Sequence, residues 1–260
     1  MQNSVILRSF SLGAALALGA FSLGCGGVDT PDGDSNPPDT TPTVTKAPAF
    51  PEKSGQAAKP ANAYPAGPYG ININSIAPDF EWVGYQNPSL KNDAMQPIRL
   101  SDFYNPHAND PAYVPEDAEH DDRLFHNELY GMGAPKPKAL SISIGSVWCG
   151  PCNTEAKVDL PPRHLKYKPL GGEFLLQLGD GATQDKPATP KDLFNWTKKY
   201  KVDFPSTIDP DYKLGELFAK NAWPANVMID TRTMKIVAAV AGVPQPPYWA
   251  KFEKLLDVAQ

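Results

Sequence analysis

Two cysteines one helical turn apart, in Trp148-Cys149-Gly150-Pro151-Cys152, constrain this chain more than any other feature. They follow Ala139-Leu-Ser-Ile-Ser-Ile-Gly-Ser-Val147, whose alternating apolar and small residues predict a strand. They precede Asn153-Thr-Glu-Ala-Lys-Val-Asp-Leu160, which reads as a helix. Cys149 is therefore expected where that helix begins. Unpaired backbone N–H groups and the positive end of the helix dipole favour thiolate over thiol there. Cys152, one turn deeper, can reach back and close a disulfide. The arrangement suits thiol–disulfide exchange.

Two other uses of a CxxC weigh less. Half of a zinc site needs a second pair of soft ligands. The chain has only one further cysteine, Cys25, in a different kind of segment, and its histidines, His107, His120, His126 and His164, form no short HxxxH pair. As a structural staple, cysteines on adjacent turns close almost no loop and remove little unfolded-state entropy.

The N-terminus bears on compartment. Arg8 is the only charge in the first 24 residues, and it precedes the apolar run Phe10 to Gly24. That run is shorter than the roughly 20 residues a membrane span needs, so residues 1–24 read as a secretory signal. Ser22-Leu23-Gly24-Cys25-Gly26 resembles the lipobox of bacterial lipoproteins, although Ser22 stands where an aliphatic residue is usual. The resemblance implies cleavage before Cys25 and lipid on its sulfur. Ordinary cleavage would leave Cys25 as a free thiol. Residues 25–70 are rich in Pro, Asp, Thr, Ala and Gly, a composition that cannot offset the entropy of ordering. They read as a disordered tether. Asp29, Asp32 and Asp34 lack the Glu that would complete an EF-hand loop. Residues 71–260 are long enough for one domain with its own core. Net charge is -5 with no basic cluster, which argues against a nucleic-acid partner.

Beyond the cysteines, strands and helices alternate. Strands are expected at 174–178, 226–230 and 235–240, the last two flanking a hairpin turn. Helices are expected at 190–200, 212–220 and 248–256, the last with residues 248, 249, 252, 255 and 256 inward. This order predicts an α/β fold, a central sheet with helices on both faces.

In this setting Trp148-Cys-Gly-Pro-Cys152 resembles the active site of the thioredoxin superfamily. Further stretches resemble its extracytoplasmic TlpA/ResA-type branch, which overlaps the AhpC/TSA-type redoxins. These are Ala77-Pro-Asp-Phe80, Leu100-Ser-Asp-Phe103, Cys152-Asn-Thr-Glu155, Phe204-Pro-Ser-Thr-Ile-Asp209 and Trp223-Pro-Ala-Asn-Val-Met-Ile-Asp230. The similarity covers about residues 75–258 in the family's order. It implies a thioredoxin-like fold with a mixed sheet, no cofactor, and a redox disulfide Cys149–Cys152. By the same likeness Cys149 attacks, Cys152 resolves, and Pro151 tunes geometry and potential. Pro224 takes the family's cis-proline position, from which the backbone of Trp223 would meet an extended peptide. Glu155 matches a glutamate that could move the proton of Cys152. It could equally be a solvated first-turn acid. Thioredoxins proper place a buried aspartate six residues before the first cysteine; here that residue is Ser143. Trp148 is a lid over the disulfide or ordinary partial core. Trp223 is bulky where relatives carry a small or β-branched residue, so it would narrow the groove or offer a stacking surface.

Residues 104–138 form an acidic insertion where relatives need only a turn. Its His107, His120 and His126 stand among carboxylates, but no metal-ligand spacing is diagnostic. No metal is expected. Leu124-Phe125 and Leu129-Tyr130 are expected to pin the insertion to the body, where it would shape partner choice. The sequence thus predicts a membrane-tethered oxidoreductase with protein thiols and disulfides as partners and a separate electron donor. One rival is a peroxidase. Such enzymes attack from a Pro-xxx-Thr-xx-Cys context, which Gly145 breaks, and Trp148 would crowd a peroxide pocket. The other is a metal-handling module, which generally spaces its cysteines CxxxC with a downstream histidine; no histidine follows His164.

Overall fold

Seven strands are present in the computed structural model, which describes residues 63–90, 94–215 and 222–257. The expected signal (1–24), Cys25 and the linker as far as residue 62 lie outside the described residues. The strands are β1 Glu81–Tyr85, β2 Gln96–Arg99, β3 Ala139–Ser146, β4 Gly172–Asp180, β5 Ser206–Ile208, β6 Ala225–Asp230 and β7 Lys235–Ala241. They form one mixed sheet in the order β2-β1-β5-β4-β3-β6-β7. β3 runs parallel to β4, and β4 to β5; the remaining pairs are antiparallel. The fold class is α/β, as expected. β1, β2 and β5 escaped the sequence reading because they are only 5, 4 and 3 residues long. β2 is an edge strand and tolerates Pro97 for that reason.

The helices are α1 Gly150–Thr154, α2 Leu160–Tyr167, α3 Pro190–Tyr200 and α4 Pro246–Leu255. All four send buried side chains, among them Cys152, Leu160, Trp196 and Phe252, into one cluster with Phe174, Leu176 and Leu178 of β4. The other face of the sheet carries Leu140, Ile142, Ile144, Leu175, Val227 and Ile229. Helices were expected on both faces. Among the described residues this second face is covered by the short 3-10 helix Leu100–Phe103, by Phe125 and Tyr130 of the insertion, and by Leu214. Leu214 opens the segment expected to be helical over 212–220, most of which lies outside the described residues. The insertion supplies the apolar surface that a longer helix would otherwise provide.

Its pinning residues behave as predicted: Phe125 and Tyr130 are buried and stacked, with ring centroids 4.6 Å apart, and Leu129 packs against the same cluster. The amide of Asn105 donates to the carbonyls of Lys136 and Pro137, and the Thr231 hydroxyl donates to Pro137. These fastenings sit where β3 begins, about 25 Å of strand from the cysteines at its other end. The last residues of the stretch expected to be linker, from 63 on, are among the described residues. The Tyr64 hydroxyl donates to the Ala77 carbonyl, and Tyr69 bridges to Ile76, so this stretch packs with the body.

One irregularity shapes the site. Between α1 and α2 the helix widens into a π turn over Glu155–Asp159, with the Leu160 N–H bonded to the Glu155 carbonyl. Pro161 and Pro162 explain it. Neither has an N–H to give to Lys157 or Val158, and the Pro161 ring would clash with the Lys157 carbonyl in a regular helix.

Candidate active site

Cys149 is the N-cap of α1: its backbone is extended, and its Sγ accepts the Cys152 N–H at 3.1 Å. A thiol or thiolate at this position faces backbone donors, as the strand-to-helix junction predicted. Pro151 lies in the first turn, where its missing N–H costs nothing, and is exposed. Cys149 and Cys152 form a disulfide with an S–S distance of 2.06 Å and Cα atoms 5.3 Å apart. Both cysteines are buried.

Asn153 clamps the turn that carries Cys149. Its amide donates to the carbonyls of Val147 and Cys149, at 3.0 and 2.6 Å, while its oxygen accepts the Tyr200 hydroxyl from α3. Sequence reasoning missed this residue, although an amide directly after a CxxC is the signal that could have found it.

Glu155 is buried, not a solvated first-turn acid. One carboxyl oxygen accepts the Ser143 hydroxyl and the other the Asn226 amide, each at 3.1 Å. Burial raises its pKa to about 7, the two hydrogen bonds opposing this in part. Ser143, at the position where thioredoxins proper carry an aspartate, therefore holds Glu155 by a hydrogen bond. On the same edge of β3, a Cβ on Gly145 would lie 3.8 Å from Cys152 Sγ. Ser141, Ser143 and Gly145 thus line the side of β3 that faces the helices.

Two tryptophans are seated on the dipeptide that ends β4. The Trp148 indole donates to Asp180 at 3.0 Å, and Asp180 also accepts the Asp185 N–H. With that anchor Trp148 packs, partly buried, against the helix-side cluster. Trp223 packs over Gly179, where a Cβ would come within 2.9 Å of both its ring and that of Tyr212. The Trp223–Pro224 peptide is cis. Ala225, the next residue, pairs with Ile144, so Pro224 lies beside the strand end from which the cysteine helix departs. This is the mixed α/β sheet with a cysteine-bearing helix at its end that the sequence resemblance implied.

Trp148, Cys149, Pro151, Cys152 and Glu155 follow the end of β3, and Trp223 and Pro224 directly precede β6, which pairs with that end of β3; Cys25 lies outside the described residues. Asn226, Asp180 and Tyr200 were not foreseen. Asn226 was detectable as the one polar side chain inside the apolar run of β6. In the insertion, carboxylates pair locally: Asp117 with His120, and Asp121 with Arg123. Among the described residues no group of three or more His, Cys, Asp or Glu is arranged to hold a metal.

No family model and no curated protein matches the chain. Solved structures do. A putative thiol:disulfide interchange protein DsbE from Chlorobium tepidum shares 18% identity, with 72% of this chain and 96% of that one covered at a TM-score of 0.45. A putative protein disulfide isomerase from Bacteroides thetaiotaomicron shares 17%, covering 72% and 89% at 0.45. The pneumococcal exposed lipoprotein thioredoxin from Streptococcus pneumoniae shares 20%, covering 70% and 100% at 0.42. What those proteins do remains a property of theirs.

Proposed function

We propose that this chain is a thiol–disulfide oxidoreductase that reduces protein disulfides outside the cytoplasm, held to a membrane by lipid on Cys25. The observation that carries the chemistry is the Cys149–Cys152 pair at a helix N-terminus, with the buried Glu155 carboxyl one turn further on. In the dithiol form the Cys149 thiolate attacks one sulfur of a partner disulfide. A mixed disulfide forms and the partner's other sulfur leaves as thiolate. Cys152 gives its proton to the Glu155 carboxylate and attacks Cys149 Sγ, closing the Cys149–Cys152 bond and releasing the partner's second thiol. The partner gains two electrons and the pair loses two. A separate dithiol donor must return them. Trp148 and Trp223 flank the pair, and the backbone beside Pro224 would receive an extended partner strand.

Dithiothreitol-driven insulin reduction tests the reading. Activity should fall at least a thousandfold in Cys149→Ser, while Cys152→Ser should accumulate protein joined covalently through Cys149. Reduction that survives Cys149→Ser defeats the proposal. The anchor is tested separately by metabolic labelling with a fatty acid, which Cys25→Ala should abolish.

A further inference from the structure

Asn226 occupies a position between two parts of the site that no backbone hydrogen bond joins directly. Its Nδ2 donates to Glu155 at 3.1 Å and to the Gly242 carbonyl at 3.4 Å. The N–H of Gly242, on the other side of that residue, donates to the Pro224 carbonyl at 2.6 Å. The Oδ1 of Asn226 is buried with no partner. A buried side chain thus spends both donor hydrogens, keeps an idle acceptor, and links the glutamate to the Gly242–Pro224 pair at the end of the β6–β7 ladder. We propose that Asn226 is a positioning residue that holds Glu155 towards its ionised form and transmits the glutamate's proton state to that Gly242–Pro224 pair.

The physical case is direct. An amide donor bonds a carboxylate more strongly than a neutral carboxyl, so the Nδ2 contact favours the anion. When Glu155 takes up a proton, that contact weakens, and the new O–H needs an acceptor. Asn226 Oδ1 and Ser143 Oγ are the acceptors at hand. Either adjustment changes what Asn226 gives to Gly242. The other charged or titratable groups acting on Glu155 are Asp159 and Arg163 from its own helix and Tyr248 from α4. β3 and β6 contribute only the neutral Ser143 and Asn226. Cys149 and Cys152 do not titrate while joined as a disulfide.

This inference rests on the proposed role of Glu155 and is testable without turnover. In the oxidised full-length protein, the 13C shift of the Glu155 carboxyl should titrate with a midpoint near 7. The Gly242 amide resonance should follow the same midpoint and become flat in Glu155→Gln. In Asn226→Leu the proton affinity of Glu155 should rise about tenfold and the Gly242 response should vanish. Asn226→Ser serves if the leucine variant does not fold, and the wild-type co-titration depends on neither. A Gly242 amide that ignores pH, one that still titrates in Glu155→Gln, or a Glu155 midpoint unmoved in the Asn226 variant overturns the coupling. A protein inert towards insulin that still shows the co-titration keeps the coupling and removes only the enzymatic reading.

Discussion

The two sides of β3 are equally dry and do different work. Leu140, Ile142 and Ile144 meet the insertion side, where nothing but packing is at stake. Ser141, Ser143 and Gly145 meet the helices, where each touches a specific group: the Tyr248 hydroxyl, the Glu155 carboxyl and the space beside Cys152 Sγ. Alternation between apolar and polar residues usually marks a half-solvated strand. Here both serines are buried, at 2% and 4% exposure, and the polar set marks the chemical face instead. Polar side chains persist in such a place only when each finds a hydrogen-bond partner.

The comparison breaks most easily at Ile142, which is fully buried. Ile142→Ala should lower unfolding free energy by about 2–5 kcal/mol in urea titration. The folded fraction should keep the insulin-reduction rate of the parent. A loss of rate per folded molecule would show that the apolar side is not purely structural.

Glu155→Gln sharpens the opposite side. Burial raises the folded pKa of Glu155 to about 7, from an ordinary glutamate value of about 4.5. Between these values the unfolded chain releases the proton and the folded chain keeps it. The folded state thus binds more protons, and stability falls as pH rises through that window. Below it the group costs nothing; above it the cost of ionising in place is complete, about 3 kcal/mol. Glu155→Gln should therefore be more stable than the parent at pH 8, by up to that amount, and indistinguishable at pH 4. The idle Asn226 oxygen is available to accept from the new amide. Equal stability at both pH values would mean that the carboxyl is not strained by burial. Ser143→Ala should act in the opposite direction and more weakly, making the ionised carboxyl costlier and the protein less stable than the parent at pH 8 by about 1 kcal/mol. Losing one donor to the carboxylate raises the Glu155 midpoint by roughly one pH unit, read from the pH profile of exchange.

How much of this was legible follows the same division. The cysteine pair with its strand and helix could be read because it depends on local order in the chain, whereas Pro224 and Glu155 were singled out only through the family resemblance. Asn226 and Asp180 could not be assigned roles, because their partners, Glu155 and Trp148, are 71 and 32 residues away. The π turn was legible in principle, since Pro161-Pro162 cannot follow a regular helix. The sequence reading ended its helix at Leu160 without asking what the prolines do to the turn before them. The pins of the insertion were legible as two apolar pairs in an acidic stretch, and Phe125 and Tyr130 stand in the core beside Phe103.

Gly145 offers the finest distinction between the two sides. It sits on the chemical edge of β3, just before the register shift towards Ser146, with its backbone in ordinary strand conformation. An alanine Cβ would stand 3.4 Å from Cys152 Cβ and 3.8 Å from Cys152 Sγ, close to normal van der Waals contact. Gly→Ala in a strand also restricts the unfolded chain, which contributes about 0.4–1 kcal/mol in favour of folding. Contact and entropy nearly offset, so Gly145→Ala should change stability by less than about 1 kcal/mol. If the glycine is there only to make room, the exchange rate should also stay within a few-fold of the parent. A drop of tenfold or more at unchanged stability would mean that Cys152 must move towards β3 during exchange, and that the gap above Gly145 is the space it moves into.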